Sequence, residues 1–238
     1  MSFSFARFLV EDSRSTMKVG TDAMLLGSWV HPGNALSILD VGTGCGVLAL
    51  MMAQVSDAYI DAIDIHRPSA EEAGYNISQS PWAGRIRVFC RSLEEHAILA
   101  DQKYDIIISN PPFFTGSLKP VSEKKLLAKH EDTLTFEALL KSSVKLMHAG
   151  SSLFIILPVC EERKFAATAL QQGLFKARTL VVRPVPLKPP HRILSEFRFH
   201  KTPEPDEDEM IIHSSENKFS EKYLAMTRNF HLFNQKTS

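Results

Sequence analysis

The sequence predicts an α/β fold organised on a mostly parallel sheet. Three observations carry that expectation. A short apolar run, Leu36 to Val41, leads into a turn with glycine at alternate positions, Gly42, Gly44 and Gly46, and then into a helical pattern from Val47 to Gln54. Strand, glycine turn and helix in that order open a nucleotide-binding βαβ unit. Apolar runs and helical patterns then alternate as far as Gly173, the rhythm of crossover-connected parallel strands. Beyond it the rhythm breaks. Leu174 to Val185 and Ile193 to Phe199 are joined by a short proline-rich linker, which suits an antiparallel hairpin and not another crossover.

Composition bounds the function classes. At 238 residues the chain fits one large domain with a sizeable core. Its 27 basic and 27 acidic side chains cancel, so global charge points to neither a nucleic-acid binder nor a membrane-surface protein, and any polyanion must meet a local basic patch. Cys45, Cys90 and Cys160 form an odd set with no CxxC, against both a disulfide framework and a zinc site. Arg7, Glu11, Asp12 and Arg14 interrupt any signal-peptide core. The longest charge-free apolar stretch, Val41 to Val55, is short for a membrane span. The expectation is a reduced, cytoplasmic enzyme without a metal.

In chain order, residues 1–20 open with Phe3, Phe5 and Phe8 and reach Lys18, Gly20 and Thr21. Thr21 or Asp22 is expected to cap a helix from Ala23 to Val30, stopped by Pro32-Gly33; a capped start behind a lysine and a glycine suits an anionic group as well as an ordinary cap. The first core strand ends in Asp40 and Val41, before the glycine turn. The spacing is GxGxG, not the GxGxxG of dinucleotide sites, and it lets a ligand approach the backbone. A second strand, Ala58 to Ile65, carries Asp64, 24 positions after Asp40, near the offset at which a carboxylate meets ribose hydroxyls. Pro68 suits the first turn of a helix that runs to about Ser80. Arg85 to Cys90 reads as a third strand, Leu93 to Leu99 as a short helix and Lys103 to Ser109 as a fourth strand.

That fourth strand delivers Asn110-Pro111-Pro112-Phe113-Phe114 at its carboxyl end. Both prolines fix their own φ and remove backbone donors, and the first biases Asn110 toward extended geometry. The result is a rigid corner of acceptors with a flat ring beside it, suited to a planar group bearing an NH2. The competing reading is a proline turn with Phe113 in the core. Ligands of open parallel sheets gather at the strands' carboxyl ends, so the glycine turn, Asp64 and Asn110 are expected to share one crevice.

Residues 115–132 read as a loop rich in Lys119, Lys124, Lys125, Lys129 and His130, a solvated face or a phosphate contact. Phe136 to Met147 has helical spacing, Ser151 to Leu157 is a fifth strand, and Glu161 to Gln172 a helix closed by Gly173. The hairpin linker carries Lys188, His191 and Arg192. The acidic, proline-bearing stretch Pro203 to Glu209 is expected as an exposed loop, followed by a last strand, Met210 to His213, and a terminal helix from Ser220 to Phe230.

Asp-Val-Gly-Thr-Gly-Cys-Gly at 40–46, the acid at 64 and Asn-Pro-Pro-Phe at 110–113 resemble the class I S-adenosylmethionine-dependent methyltransferases, and the last motif is similar to that of enzymes methylating planar NH2 nitrogens. Met17 to Asp22, Leu25-Leu26-Gly27, Asn76-Ile77, Ser80-Pro81-Trp82, Pro190-His191-Arg192 and Phe219 to Tyr223 narrow the resemblance to the bacterial tRNA (adenine-N6) methyltransferases that modify valine tRNA beside the anticodon. It covers nearly the whole chain, from about Phe5 to Phe233.

The resemblance implies a Rossmann-like, seven-stranded, mostly parallel sheet with a reversed last strand and helices on both faces. It implies a single methyltransferase domain over 1–238, residues 1–34 being a cofactor- and substrate-side extension and 35–238 the core with its C-terminal hairpin and helix. S-adenosyl-L-methionine is the implied cofactor, held by Lys18, Gly20, Thr21, Asp40, Gly42, Gly44, Gly46, Asp64, Ser92 and Asn110. Asn110, Pro111, Pro112 and Phe113 are the implied catalytic corner, with Phe114, Lys124, Lys125, Lys129, His191 and Arg192 toward RNA. The implied partner is the tRNA anticodon loop, with no obligate protein partner. Two departures stand out: Phe113 occupies a position where the family often has Tyr, and Arg91-Ser92 stand where many such enzymes offer an acid to the cofactor adenine.

The corner alone leaves other substrates open. It also suits a glutamine amide, as in protein glutamine-N5 methyltransferases, or the N2 amine of guanine in ribosomal RNA. The glutamine enzymes usually carry a separate N-terminal helical domain for which this chain has no room. A non-catalytic RNA-binding module is opposed by the intact glycines, Asp64 and Asn110.

Overall fold

The computed structural model describes residues 2–111, 134–214 and 218–231. Pro112, Phe113, Phe114, Lys124, Lys125 and Lys129 lie outside the described residues.

A small antiparallel hairpin comes first, β1 (Ser2–Ser4) and β2 (Leu9–Glu11), with helix α1 (Thr21–Trp29) after it. Then follow β3 (Ser37–Val41), α2 (Val47–Val55), β4 (Tyr59–Asp64), α3 (Arg67–Ser78), β5 (Ile86–Cys90), α4 (Leu93–Leu99) and β6 (Tyr104–Ser109). The chain resumes with α5 (Phe136–Leu146), β7 (Met147–Pro158), α6 (Val159–Gln171), β8 (Phe175–Arg183), β9 (Arg192–Arg198), β10 (Asp206–Ile211) and α7 (Glu221–Thr227).

The large sheet has the order β10-β8-β9-β7-β6-β3-β4-β5. Strands β3 to β7 are mutually parallel where they pair, while β9 runs against both β7 and β8. The α/β class and the hairpin are as the sequence predicts; the reversed strand is β9, and β10 after it runs parallel to β8. The order reverses at β3 and β6, whose connections leave on opposite sides; at such a switch point the carboxyl ends open a crevice.

Central strands are covered on both faces, which is why they read as continuous apolar runs: Ile106, Ile107 and Ile108 are all buried. One core joins the sheet to α1, α2 and α3, with Trp29, Leu50 and Met51 inside it, and a second joins the other face to α4, α5 and α6 around Leu140 and Phe165. Pro68 sits in the first turn of α3, where a missing N–H costs nothing.

Two expectations need correction. The last strand, expected from Met210 to His213 behind an exposed acidic loop, begins four residues earlier and makes an eighth in the sheet: Asp206 to Ile211 pair in parallel with Arg178 to Arg183 of β8. Charge does not prevent this at an edge, where Asp206 to Glu209 point their side chains to solvent, and Arg178 and Arg183 form ion pairs with Asp206 and Glu209. A charged edge also discourages pairing with another chain. Secondly, α1 begins at Thr21 itself behind Gly20, with no side-chain cap; Asp22 instead accepts a hydrogen bond from Arg192 Nε at 2.8 Å.

Candidate active site

The carboxyl ends of β3, β4, β5 and β6 form one rim. The glycine turn after β3 is anchored to its neighbour strand, for the Gly42 and Thr43 N–H groups both donate to the Ile63 carbonyl at 2.9 Å. Gly44 N–H donates to Asp64 Oδ2 at 2.9 Å, and Asp64 Oδ1 accepts from His66 N–H at 2.8 Å. Asp64 is thus fixed at the end of β4 by one bond on each oxygen, which leaves further lone pairs for a ligand.

The glycines divide the work. Gly42 and Gly44 have φ of 71° and 57°, in the left-handed region that side chains resist. A Cβ on either would meet no heavy atom of the described residues within 4 Å, so they leave open space beside them. A Cβ on Gly46 would sit 3.3 Å from both Cα and Cβ of Ala73; this glycine lets α3 close against the turn.

Asp40 lies beneath the turn, fully buried. Its Oδ2 accepts from the Thr43 hydroxyl at 2.6 Å and from Ala49 N–H at 3.1 Å, bracing the turn to the first part of α2. Burial pushes its carboxyl up to about 7, against the Thr43 and Ala49 hydrogen bonds and with a smaller push from the charge of Asp64.

The proline corner begins one strand away. Val41 and Ser109 are paired across β3 and β6, and the Ser109 hydroxyl donates to the Val41 carbonyl at 2.9 Å. Asn110 therefore leaves β6 beside the point where Gly42 leaves β3, at the ~4.8 Å spacing of adjacent strands. Asn110 Oδ1 is buried and has no hydrogen-bond partner among the described residues, and Pro111 is buried next to it.

The other expected residues lie on the approach to α1, after β5 and at the start of β9. Lys18, Gly20 and Thr21 are exposed on the approach to α1; Lys18 Nζ donates to the Asp12 carbonyl, and Val19 N–H to Asp12 Oδ2 at 3.0 Å. Ser92 forms a capping box with Glu95: its hydroxyl accepts from Glu95 N–H at 3.1 Å and its own N–H donates to Glu95 Oε2 at 3.0 Å. Its hydroxyl proton is left to donate. His191 N–H donates to the Val182 carbonyl. Arg192, which pairs with Asp22, lies opposite Pro158 at the carboxyl end of β7, on the same rim.

Ile65 was not singled out from the sequence. It follows Asp64 directly and is 56% exposed, an apolar surface beside the carboxylate. On the neighbouring strand end the Arg91 guanidinium lies 4.5 Å from the Phe89 ring centroid. In sequence Ile65 reads only as the last residue of a strand; the usable signal is the adjacency of an acid and a large aliphatic residue at a strand's carboxyl end.

Among the described residues no group of three or more His, Cys, Asp or Glu is arranged to hold a metal, and no helix is long and apolar enough to cross a membrane.

Residues 13–159 match the methyltransferase small domain family. Over 230 residues the chain is 39% identical to the tRNA1(Val) (adenine(37)-N6)-methyltransferase of Parabacteroides distasonis, covering 97% of each chain. Enzymes of the same name from Trichodesmium erythraeum and Pseudoalteromonas translucida are 37% and 38% identical, covering 97% of this chain and 97% and 98% of theirs. Among solved structures, a protein described as a predicted O-methyltransferase from Agrobacterium tumefaciens superposes with a TM-score of 0.68 at 20% identity, covering 88% of this chain and 96% of that one. The 16S rRNA N2 G1207 methyltransferase of T. thermophilus, solved with AdoMet and guanosine, gives 0.55 at 16% identity, covering 84% of this chain and 50% of that one. Those two likenesses concern the fold; nearly full-length identity carries the family, and the chain is a methyltransferase belonging to the tRNA1(Val) (adenine(37)-N6)-methyltransferase family.

Proposed function

We propose that this chain methylates the exocyclic N6 of an adenosine in tRNA, adenosine-37 beside the anticodon of a valine tRNA, with S-adenosyl-L-methionine as donor. The single observation that carries the reading is the buried Asn110 Oδ1, an acceptor with no partner among the described residues, one strand from the open glycine turn. A buried acceptor left unmade costs about 1–3 kcal/mol, so the corner favours a ligand that brings a donor. The family's shared name supplies the substrate.

The residues present fit the donor. The open sides of Gly42 and Gly44 admit a ligand to the backbone, Asp64 keeps lone pairs for ribose hydroxyls, and Ile65 offers an apolar face to a purine. Lys18, Gly20 and Thr21 close over this end. S-adenosyl-L-methionine supplies an electrophilic sulfonium methyl with a neutral leaving group.

The difficulty is the nucleophile, whose lone pair is delocalised into the purine. Asn110 Oδ1 and the Pro111 carbonyl accept its two N–H bonds, turn the amine so that its lone pair faces the methyl, and stabilise the positive charge that develops on nitrogen. Pro112 and Phe113 complete the proposed catalytic set, Phe113 as the ring for stacking on the base. No general base is required, since the proton leaves after attack. The base must leave its stack to enter, which is cheaper in an anticodon loop than in a duplex. His191, Arg192, Phe114, Lys124, Lys125 and Lys129 are the candidates for RNA contact. The whole chain acts as one methyltransferase domain, with 1–34 as its cofactor-side extension, in the cytoplasm where tRNA is modified.

The test is methylation of total tRNA from a strain lacking this gene with labelled S-adenosyl-L-methionine, followed by nucleoside analysis of purified species. Label in N6-methyladenosine of valine tRNA is expected. Label in N2-methylguanosine, or in protein glutamine when a lysate replaces the tRNA, would overturn the reading.

A further inference from the structure

We propose that Glu72 is a positioning residue for cofactor binding: it fixes the path by which residues 16–22 pass the glycine turn, and thereby sets affinity for the methyl donor. The inference rests on reading the glycine-turn rim as the S-adenosyl-L-methionine site.

Ser69, Glu72 and Asn76 stand at i, i+3 and i+7 of α3 and so share one face. All three are buried, at 0%, 0% and 2% exposure. Polar residues on the inward stripe of a helix need partners, and here the partners are successive residues of the N-terminal chain. Asn76 donates to the Glu11 carbonyl at 2.7 Å and accepts from Glu11 N–H at 2.9 Å. Glu72 accepts from the Ser13 hydroxyl at 3.1 Å, Arg14 N–H at 2.8 Å and Ser15 N–H at 2.7 Å. Ser69 accepts from Thr16 N–H at 3.3 Å. As the N-terminal chain advances, its contacts step back along α3 toward that helix's start. α3 starts just after Asp64, at the carboxyl end of β4, so the chain is climbing toward the rim.

The same helix face meets the glycine turn, since Asn76 also donates to the Cys45 carbonyl at 2.8 Å and Ala73 packs under Gly46. α3 thus indexes three pieces against one another: the turn, the Asp64 strand end and the N-terminal strap. Beyond Thr16 the strap runs to α1, which packs on α2 and is tied to the reversed strand through Asp22 and Arg192. Residues 16–22 therefore travel from α3 to α1, past the start of α2, where the glycine turn sits. Lys18, Gly20 and Thr21 lie in this span.

Glu72 is the strongest grip on the residues that lead into it. Burial pushes its carboxyl up, but the Arg14 and Ser15 N–H groups and the Ser13 hydroxyl more than offset this and hold it below the ordinary carboxylate range. The group is ionised at neutral pH, and an anion gripped by two consecutive N–H groups and a hydroxyl of one segment specifies where that segment lies. A leucine there would hold the strap only by apolar contact, with no directional preference.

Glu72→Ala and Glu72→Gln would be compared with wild type for S-adenosyl-L-methionine Kd by calorimetry, for kcat and KM with tRNA, and for tryptic cleavage after Arg14 and Lys18. Glu72→Ala is expected to raise the cofactor Kd about tenfold or more, to speed cleavage at both sites, and to leave kcat at saturating cofactor within about threefold. Glu72→Gln keeps one accepting oxygen and should fall between, and it carries the test if the alanine variant does not fold. A lowered melting temperature with unchanged Kd and unchanged cleavage would overturn the proposal, because a merely structural residue behaves that way. Asp64→Ala serves as the control: if it binds the cofactor like wild type, the cofactor site itself has been misread, whatever Glu72 does.

Discussion

At the glycine turn the N–H groups of Gly42, Thr43 and Gly44 are taken up by Ile63 and Asp64, whereas one strand over Asn110 Oδ1 is buried and accepts nothing among the described residues. The first corner is held in shape by the protein's own hydrogen bonds and merely leaves room above the backbone. The second carries an acceptor that stays unsatisfied until a donor arrives. A donor-cofactor site gains from being rigid before binding; a site that activates an amine gains from contacts that strengthen as charge develops. On the proposed reading, the two corners divide the labour of methyl transfer along one rim.

The largest effect is expected where that difference is removed. Asn110→Ala should lower kcat by about 100- to 1000-fold while the S-adenosyl-L-methionine Kd changes less than about threefold; a comparable loss of cofactor affinity would move Asn110 into the cofactor corner.

Within the turn, Gly44→Ala and Gly46→Ala should separate. Both force a side chain into the left-handed region at about 1–2 kcal/mol, but the Gly44 Cβ would enter open space while the Gly46 Cβ meets Ala73. Gly44→Ala is expected to weaken cofactor binding about tenfold or more at a modest stability cost, and Gly46→Ala to cost more stability. Denaturation midpoints measured beside cofactor titrations check this, and equal behaviour of the two variants would contradict the assignment.

The last effect is one of pH and concerns Asp40. Its folded carboxyl lies near 7 against an ordinary 3.8, so the folded protein holds a proton that the unfolded chain has released. The associated stability is fully present below the ordinary value and is lost as pH rises through about 7, with a slope of up to ~1.4 kcal/mol per pH unit. Asp40→Asn still offers an oxygen to Thr43 and Ala49 and has no proton to lose. Its stability relative to wild type should therefore rise from pH 5 to pH 7.5 in chemical denaturation, and a pH-independent difference would mean that Asp40 is already ionised when folded.

Much of the rim was legible because its signals are local. Glycines at alternate positions, an acid at a strand end and a doubled proline each constrain their own backbone, and parallel topology brings such strand ends together wherever they fall in the chain. What was not legible depends on partners distant in sequence. Asp206 to Glu209 are poor strand formers taken alone, and they form β10 because β8 offers a hydrogen-bonding edge with Arg178 and Arg183 beside it. Glu72 reads as one charge on an amphipathic helix; its burial exists only because residues 13–15 lie across it. Asp22 reads as a helix cap until Arg192, 170 positions away, claims its carboxylate. Ile65 looks like the last residue of its strand until the strand is seen to end one residue earlier.

The most direct test of the acceptor corner is a cycle on protein and RNA together. Equilibrium Kd would be measured for wild type and Asn110→Ala on two anticodon stem-loops, one with adenosine at the target position and one with purine riboside, which lacks only the NH2. Wild type should prefer the adenosine stem-loop by about tenfold, corresponding to about 1.4 kcal/mol, and Asn110→Ala should lose most of that preference, keeping only what the Pro111 carbonyl provides. Equal discrimination by both proteins would show that the amine is recognised elsewhere, and the division of the rim into a cofactor corner and an amine-accepting corner would fail.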